Sequence, residues 1–152
     1  MTSQKWNHHI IENKKALFDY EIIEEFEAGI ELRWSEVKSI RSGQANLKWS
    51  YITLHTGIPT IVWMHISEYK YTTGIKIDPK REKRILLRKK EIERLGQKVK
   101  EMGATIIPIE ILFRWNLIKL KIALAKGRKK WEKKQVLKER DLDREISRNF
   151  KW

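Results

Sequence analysis

The chain has 152 residues, 33 Lys and Arg against 20 Asp and Glu, a formal net charge of +13 and no cysteine. That length suits one domain with an appendage, the missing thiols exclude disulfides, thiolate zinc sites and cysteine nucleophiles, and the charge calls for a polyanion, either nucleic acid or an anionic membrane surface. No apolar run approaches a membrane span, and MTSQKWNHHIIENKK lacks the apolar centre and small-residue cleavage site of a signal peptide, so a soluble cytoplasmic protein is expected.

In chain order, FDYEIIEEFEAGIELR (residues 18 to 33) is rich in β-branched and aromatic residues and predicts two strands or one bent strand, with Gly29 marking a bulge or tight bend. SEVKSIRSG (35 to 43) predicts a short helix with Ser35 as N-cap and Gly43 just past its end. In 44 to 66, two β-rich runs flank Thr56-Gly57-Ile58-Pro59, the strongest hairpin signal in the chain. SEYKYTTGIKIDP reads as a loop, and KREKRILLRKK (80 to 90) as a basic stretch around three apolar residues. KKEIERLGQKVKEMG sets Ile92, Leu95, Val99 and Met102 at helical spacing and ends at Gly103. ATIIPIEILFRW and NLIKLKIALA make a last hairpin turning near Trp115-Asn116.

After this hairpin the composition changes, with 11 basic and 5 acidic residues in 126 to 152. Leu142, Ile146 and Phe150 share a helix face, but so narrow a stripe cannot hold a helix alone, and the tail is expected to be disordered until a partner binds it. Short hairpin strands with one good helix before the final pair describe a mainly β fold with α elements. The expectation is an OB-fold-like closed antiparallel barrel with flanking helices over 1 to 126, and a basic C-terminal tail over 127 to 152.

Catalytic chemistry is poorly served. His8 and His9 are sequence neighbours, a poor metal pair; His55 borders a turn; His65 is either a satisfied barrel histidine or an RNA-facing group. No carboxylate pair sits where two pKa values would be driven apart, and there is no phosphate loop or nucleophile elbow, so neither an enzyme nor a cofactor is expected. What remains is basic clusters: Asn13, Lys14 and Lys15; Lys38 and Arg41, one turn apart; and the stretch from Lys80 to Lys90, including Lys83, Arg84 and Arg88. Phe18, Tyr20, Tyr51 and Trp131 are available for base stacking, and together they point to RNA.

ENKKALFDYEIIEEFEAGIEL, SEVKSIRSGQANLKWSYI, MHISEY, DPKREKRILLRKKEIERLGQKVKEMGATIIPIEI and KIALAKGRKKWEKK, in this order, resemble the SsrA-binding (small protein B) family of bacterial trans-translation, from about residue 10 to about residue 146. The resemblance implies an OB-like barrel that binds the tRNA-like domain of transfer-messenger RNA in place of an anticodon arm. It implies delivery of that RNA, escorted by elongation factor Tu, to stalled ribosomes. The protein would act as a monomer without catalysing a reaction, its tail turning helical in the empty mRNA channel near the decoding centre and its small-subunit RNA. Matched by position, the RNA-facing set falls on Asn13, Lys14, Lys15, Glu27, Lys38, Arg41 and Leu86. The decoding-centre group falls on Gly127, Arg128, Lys129, Lys130, Trp131, Lys133 and Lys134, and the channel helix on Val136 to Ile146, with Leu137, Lys138, Arg140 and Arg144. Glu27 either accepts hydrogen bonds from base amino groups or a 2′-OH, or holds a neighbouring lysine. Trp131 stands where the family has His or Tyr, and stacking on a ribosomal base is preferred to folding back on the barrel.

The departures are specific. Trp34 and Trp63 stand where the family has Gly, Trp49 where Asp is common, Trp115 where Asn is common, and Leu17-Phe18 where Arg-His is usual, which removes one phosphate contact. A glycine chosen for positive φ could become tryptophan only at a strain of about 1–2 kcal/mol, so either those positions need only a small residue or the local geometry has shifted.

Overall fold

The computed structural model describes residues 9–74 and 76–149, with the side chains of residues 9 and 10 left aside; His8 and Phe150, weighed above, lie outside the described residues. Among the described residues, nine strands and four helices follow in the order β1 (His9–Glu12), α1 (Lys14–Asp19), β2 (Tyr20–Ile30), α2 (Trp34–Arg41), β3 (Ala45–Asn46), β4 (Tyr51–Thr53), β5 (Thr60–Val62), β6 (His65–Ile66), β7 (Lys83–Leu86), α3 (Lys89–Met102), β8 (Thr105–Arg114), β9 (Leu117–Gly127) and α4 (Lys130–Asn149). The main sheet runs β1-β8-β4-β5-β7-β2-β9, and β9 also pairs with β8, while β3 and β6 form a separate two-stranded sheet.

The inward faces of these strands make the core: Ile52, Ile61, Ile85, Ile106, Leu120, Ile122 and Leu124 cluster with Ile40 of α2 and Leu95 of α3. β8 is buried from Ile106 to Leu112 because both its faces are covered. Its second face meets α1, where Ala16 packs with Ile107, Ile109, Ala123 and Ala125. Leu95 is the α3 residue that is fully buried, and the helix is further tied to β2 by Glu24, which pairs with Lys98 and, at 2.8 Å, with Arg94.

Several expectations change in detail. Residues 20–30 form one strand, preceded by a short helix that the β-rich composition hid. The irregularity in β2 falls between Ile22 and Glu24 opposite β9, not at Gly29. Gly29 pairs with Leu86, and a Cβ there would stand 3.1 Å from the Leu86 Cβ, so close strand approach is what requires glycine. The N-cap of α2 is Arg33, not Ser35: its backbone N–H donates to Glu36 Oε1 (2.8 Å), and Ser35 is already inside the helix. Gly43 (φ +75°) and Gly103 (φ +62°) close α2 and α3 in the left-handed conformation. Both hairpins stand as expected, with Ile52 opposite Ile61 and Phe113 opposite Ile118. The basic stretch contains a strand, β7, with Lys83 and Ile85 inward and Arg84 and Leu86 outward. The tail segment Lys130–Asn149 is one helix here, about 30 Å long, where disorder is expected of the free tail; none of its residues is buried.

Candidate RNA-contacting surface

Two basic surfaces emerge. The first is built on α1 and the start of the tail. Asn13 is 4% exposed: its Oδ1 accepts from the Ala16 N–H (3.3 Å), and its Nδ2 donates to the carbonyls of Pro108 (2.9 Å) and Leu47 (3.2 Å). Its expected place on the RNA-facing surface is therefore corrected. Every polar atom of the side chain is spent on the scaffold, and it caps the helix that presents Lys14 and Lys15. Both lysines are exposed. Lys15 pairs with Asp19 (3.3 Å) and lies 5.5 Å from the Trp49 ring and 5.9 Å from the Phe18 ring. The Phe18 ring is also approached by the Arg140 guanidinium of α4, at 5.8 Å.

The tail joins here. The Arg128 N–H donates to the Asp19 carbonyl (2.8 Å), its Nε donates to the Tyr20 carbonyl (3.2 Å), and Lys133 pairs with Asp19 (3.2 Å). Between α1, β4 and the tail lies a cleft of about 400 Å³ lined by Lys15, Tyr20, Trp49, Tyr51, Arg128 and Lys133, cationic groups interleaved with aromatic faces. Lys129, Lys130, Trp131 and Lys134 are exposed, Trp131 at 59%. Beyond them Val136 is half-buried, and Leu137, Lys138, Arg140, Arg144 and Ile146 are exposed.

The second surface gathers on α2 and the outer face of β2. Glu27 and Gly29 point to one side of β2, and Leu86, opposite Gly29, is 51% exposed beside them. Glu27 accepts from Arg114 Nε at 2.7 Å, so its ion-pair partner is an arginine from β8, while Lys121, opposite it on β9, pairs with Glu25 and Glu110. Arg41 donates to the Asn116 carbonyl (3.1 Å) and lies 5.6 Å from the Phe113 ring, which fixes the end of α2 against the β8–β9 turn. Lys38 is exposed near Trp34 (5.8 Å). Arg84 and Arg88 are exposed on and after β7. His65 is half-buried in β6, opposite Asn46. On β9, hydrogen bonding to Glu25 (3.0 Å) raises the Lys121 pKa above the ordinary lysine value.

Lys83 is a second correction. It is fully buried, its Nζ donating to the Arg81 carbonyl (2.5 Å) and lying 3.8 Å from Glu36 Oε2. Burial, only partly offset by Glu36 and reinforced by Arg81, lowers its pKa to about 8. Such a lysine has no face to offer RNA. Sequence reasoning missed Arg114 and Phe113; an arginine one residue before a hairpin turn and four after a buried glutamate was the available signal for the first.

A mainly β framework with four helices, carrying cations interleaved with aromatic rings and, among the described residues, no cluster of His, Cys, Asp and Glu fit for a metal, belongs to the class of basic binding modules. Among the described residues no helix is long and apolar enough to cross a membrane. The family model described as SmpB protein matches residues 10–152. A relative called SsrA-binding protein from Sulfurihydrogenibium sp. (strain YO3AOP1) is 47% identical over 139 residues, 91% of each chain. Another of that name from Leuconostoc mesenteroides is 37% identical over 97% of this chain and 96% of its own. A solved structure described as "tmRNA-SmpB: a journey to the center of the bacterial ribosome" superposes with a TM-score of 0.66 at 36% identity, covering 79% of this chain and 85% of that one. The chain belongs to the SmpB family.

Proposed function

We propose that this chain is an adaptor that binds transfer-messenger RNA through its tRNA-like domain and carries it to stalled ribosomes for trans-translation. The observation that carries the reading is similarity along nearly the whole chain to proteins called SsrA-binding protein, together with a tmRNA–SmpB ribosome structure of the same fold. The exposed cations and rings on both surfaces are of the kind that hold RNA by phosphate contact and stacking. The pairing path from β8 through β4, β5, β7, β2 and β9, with β9 pairing again with β8, supports an OB-like closed barrel.

In this reading residues 1–126 grip the RNA and 127–152 probe the mRNA channel near the decoding centre, loose in the free protein and fixed as a helix on the ribosome. Elongation factor Tu is met only through the charged RNA. The protein acts in the cytoplasm as a monomer and catalyses nothing. Truncation after Gly127 tests this division: RNA affinity persists while tagging of stalled peptides is lost, and loss of RNA binding in the truncated chain would overturn it. Competition separates the adaptor from a non-specific single-strand binder. The adaptor prefers the folded tRNA-like domain at moderate salt, whereas any RNA of matched length would displace the other equally.

A further inference from the structure

Among the described residues, seven positions have a left-handed backbone: Gly43, Gly57, Gly74 and Gly103, and Trp49 (φ 68°), Trp63 (φ 68°) and Trp115 (φ 57°). Every non-glycine residue in that set is tryptophan. Positive φ in a non-glycine residue is uncommon and falls mostly on Asn, Asp and His, while for a bulky side chain it is an outlier. Asparagine and aspartate occur throughout the chain, yet none of the described ones occupies such a position.

The turns themselves ask for glycine. The Ser50 N–H donates to the Leu47 carbonyl (3.0 Å), closing a β-turn with Trp49 at its third position, where positive φ selects Gly or Asn. Trp115-Asn116 is the two-residue loop between paired Arg114 and Leu117, and a positive φ at its first position is the type II′ pattern, which takes glycine there. Trp63 joins β5 to β6.

Nor does burial favour the indoles, since Trp49, Trp63 and Trp115 are 67%, 54% and 79% exposed, against the high average burial of tryptophan. Their recorded ring contacts are to lysines: Lys15 and Lys48 about Trp49, and Lys80 about Trp63 at 5.3 Å. The chain also holds seven glycines, fewer than an average share of about 7% would give.

We infer that positions 49, 63 and 115 are glycine in the protein as its own cell makes it. The codon UGA is one base from tryptophan's UGG and one base from glycine's GGA, and genetic codes that assign it to an amino acid exist. A gene whose cell reads UGA as glycine yields this chain when the same codon is read as tryptophan. Trp131 is the internal control. It lies in the first turn of α4, where backbone geometry gives no preference for glycine, and it stays tryptophan. Trp34 is outside the set because its φ is not positive. The consequence for function is a surface without indoles at three turns, with Lys15, Lys48 and Lys80 uncovered.

The test is peptide mass spectrometry on the protein purified from the cells that carry the gene, alongside sequencing of the gene. Glycine at 49, 63 and 115 with tryptophan at 131, and UGA against UGG at the corresponding codons, is the expected result. Tryptophan at 49, 63 and 115 overturns the inference, and so does glycine at 131, because backbone geometry would then not be what sorts the positions. In recombinant protein, Trp49→Gly, Trp63→Gly and Trp115→Gly each raise the folded-to-unfolded ratio by about threefold to tenfold, the relief of left-handed strain less the entropy of glycine. Trp131→Gly lowers it. Weakening by the first three would overturn the strain argument.

Discussion

Replacing Lys83 by methionine separates a buried structural cation from an RNA contact. Lys83 is fully buried and its pKa falls from 10.5 to about 8, burial being the largest cause. A shift of that size corresponds to about 3 kcal/mol of native-state cost. Below pH 8 the lysine is charged in both states and the cost is borne in full. Between pH 8 and 10.5 the unfolded chain keeps a proton that the folded chain has lost, so this group's contribution to stability rises with pH and then levels off. Methionine fills about the same volume, and Glu36 Oε1 keeps Arg81 at 2.6 Å and the Arg33 N–H at 2.8 Å, but Oε2, buried and otherwise unpartnered, loses the cation 3.8 Å away, and the Arg81 carbonyl loses its donor. Lys83→Met therefore removes a desolvation cost of about 3 kcal/mol and leaves a buried carboxylate oxygen and a carbonyl unpaired at about 1–3 kcal/mol each, so the two chains differ by no more than about 3 kcal/mol at pH 7. From pH 7 to about 10 the parent gains about 3 kcal/mol on the variant, and RNA affinity is unchanged. Urea unfolding of both chains from pH 7 to 10, with filter binding of RNA at pH 7, measures all three quantities. A variant several kcal/mol weaker at pH 7 with a difference flat in pH would refute the reasoning, and a large loss of RNA affinity in a folded variant would restore Lys83 to the RNA-facing set.

Asn13→Ala removes the cap of α1 and the amide's bonds to the Pro108 and Leu47 carbonyls, the latter keeping Ser50, so chemical denaturation should show a loss of about 1–3 kcal/mol, with RNA affinity falling only as Lys14 and Lys15 lose their aim. Gly29→Val drives a branched side chain toward Leu86 and should cost about 1–3 kcal/mol; Leu86→Ala in the same chain recovers part of it, as a double-mutant cycle would reveal. Arg41→Ala weakens RNA binding and reduces the slope of log affinity against log salt by about one, provided circular dichroism confirms that α2 holds without its anchor on Asn116. Trp131→Ala leaves RNA affinity intact and lowers tagging of stalled peptides in a reconstituted system; equal losses in both assays would contradict a ribosome-facing role for that ring.

Hairpin turns and the long amphipathic helix were legible because their signals are local: Gly57 and Pro59 in one turn, Gly103 after a helical stripe. Strand β7 was not, because the position that should have read as apolar is Lys83, whose charge is compensated by Glu36 from a residue 47 positions earlier. α1 was hidden for a related reason. Its N-cap, Asn13, is held by carbonyls on β8 and on the segment before β4, so the start of the helix is fixed by tertiary contacts more than by its own six residues. The same two residues account for the corrected part of the site: charge and polarity in a sequence mark candidates for an RNA surface, but a fold also consumes polar groups, and only the partners at 34, 47 and 95 positions' distance tell the two uses apart.

The junction at Gly127 joins the two proposed ends of the molecule through one residue. Asp19, the last residue of α1, accepts Lys15 from the RNA-side helix and Lys133 from the tail, and its carbonyl takes the Arg128 N–H. Partly exposed ion pairs of this kind contribute about 0.2–1 kcal/mol each, whereas ordering a residue's backbone costs about 1–2 kcal/mol. Contacts at the first turns of α4 can therefore aim a helix that leaves the barrel, but they cannot hold all of its 20 residues, none of which is buried. Leu137, Leu142 and Ile146 stay exposed along it, an apolar line that nothing covers among the described residues. In the proposed reading a tail aimed at its root and unsupported beyond it completes its packing on another molecule, and because Lys15 and Lys133 share the Asp19 carboxylate, whatever draws Lys15 toward a phosphate removes a competing cation and tightens the hold of Asp19 on Lys133.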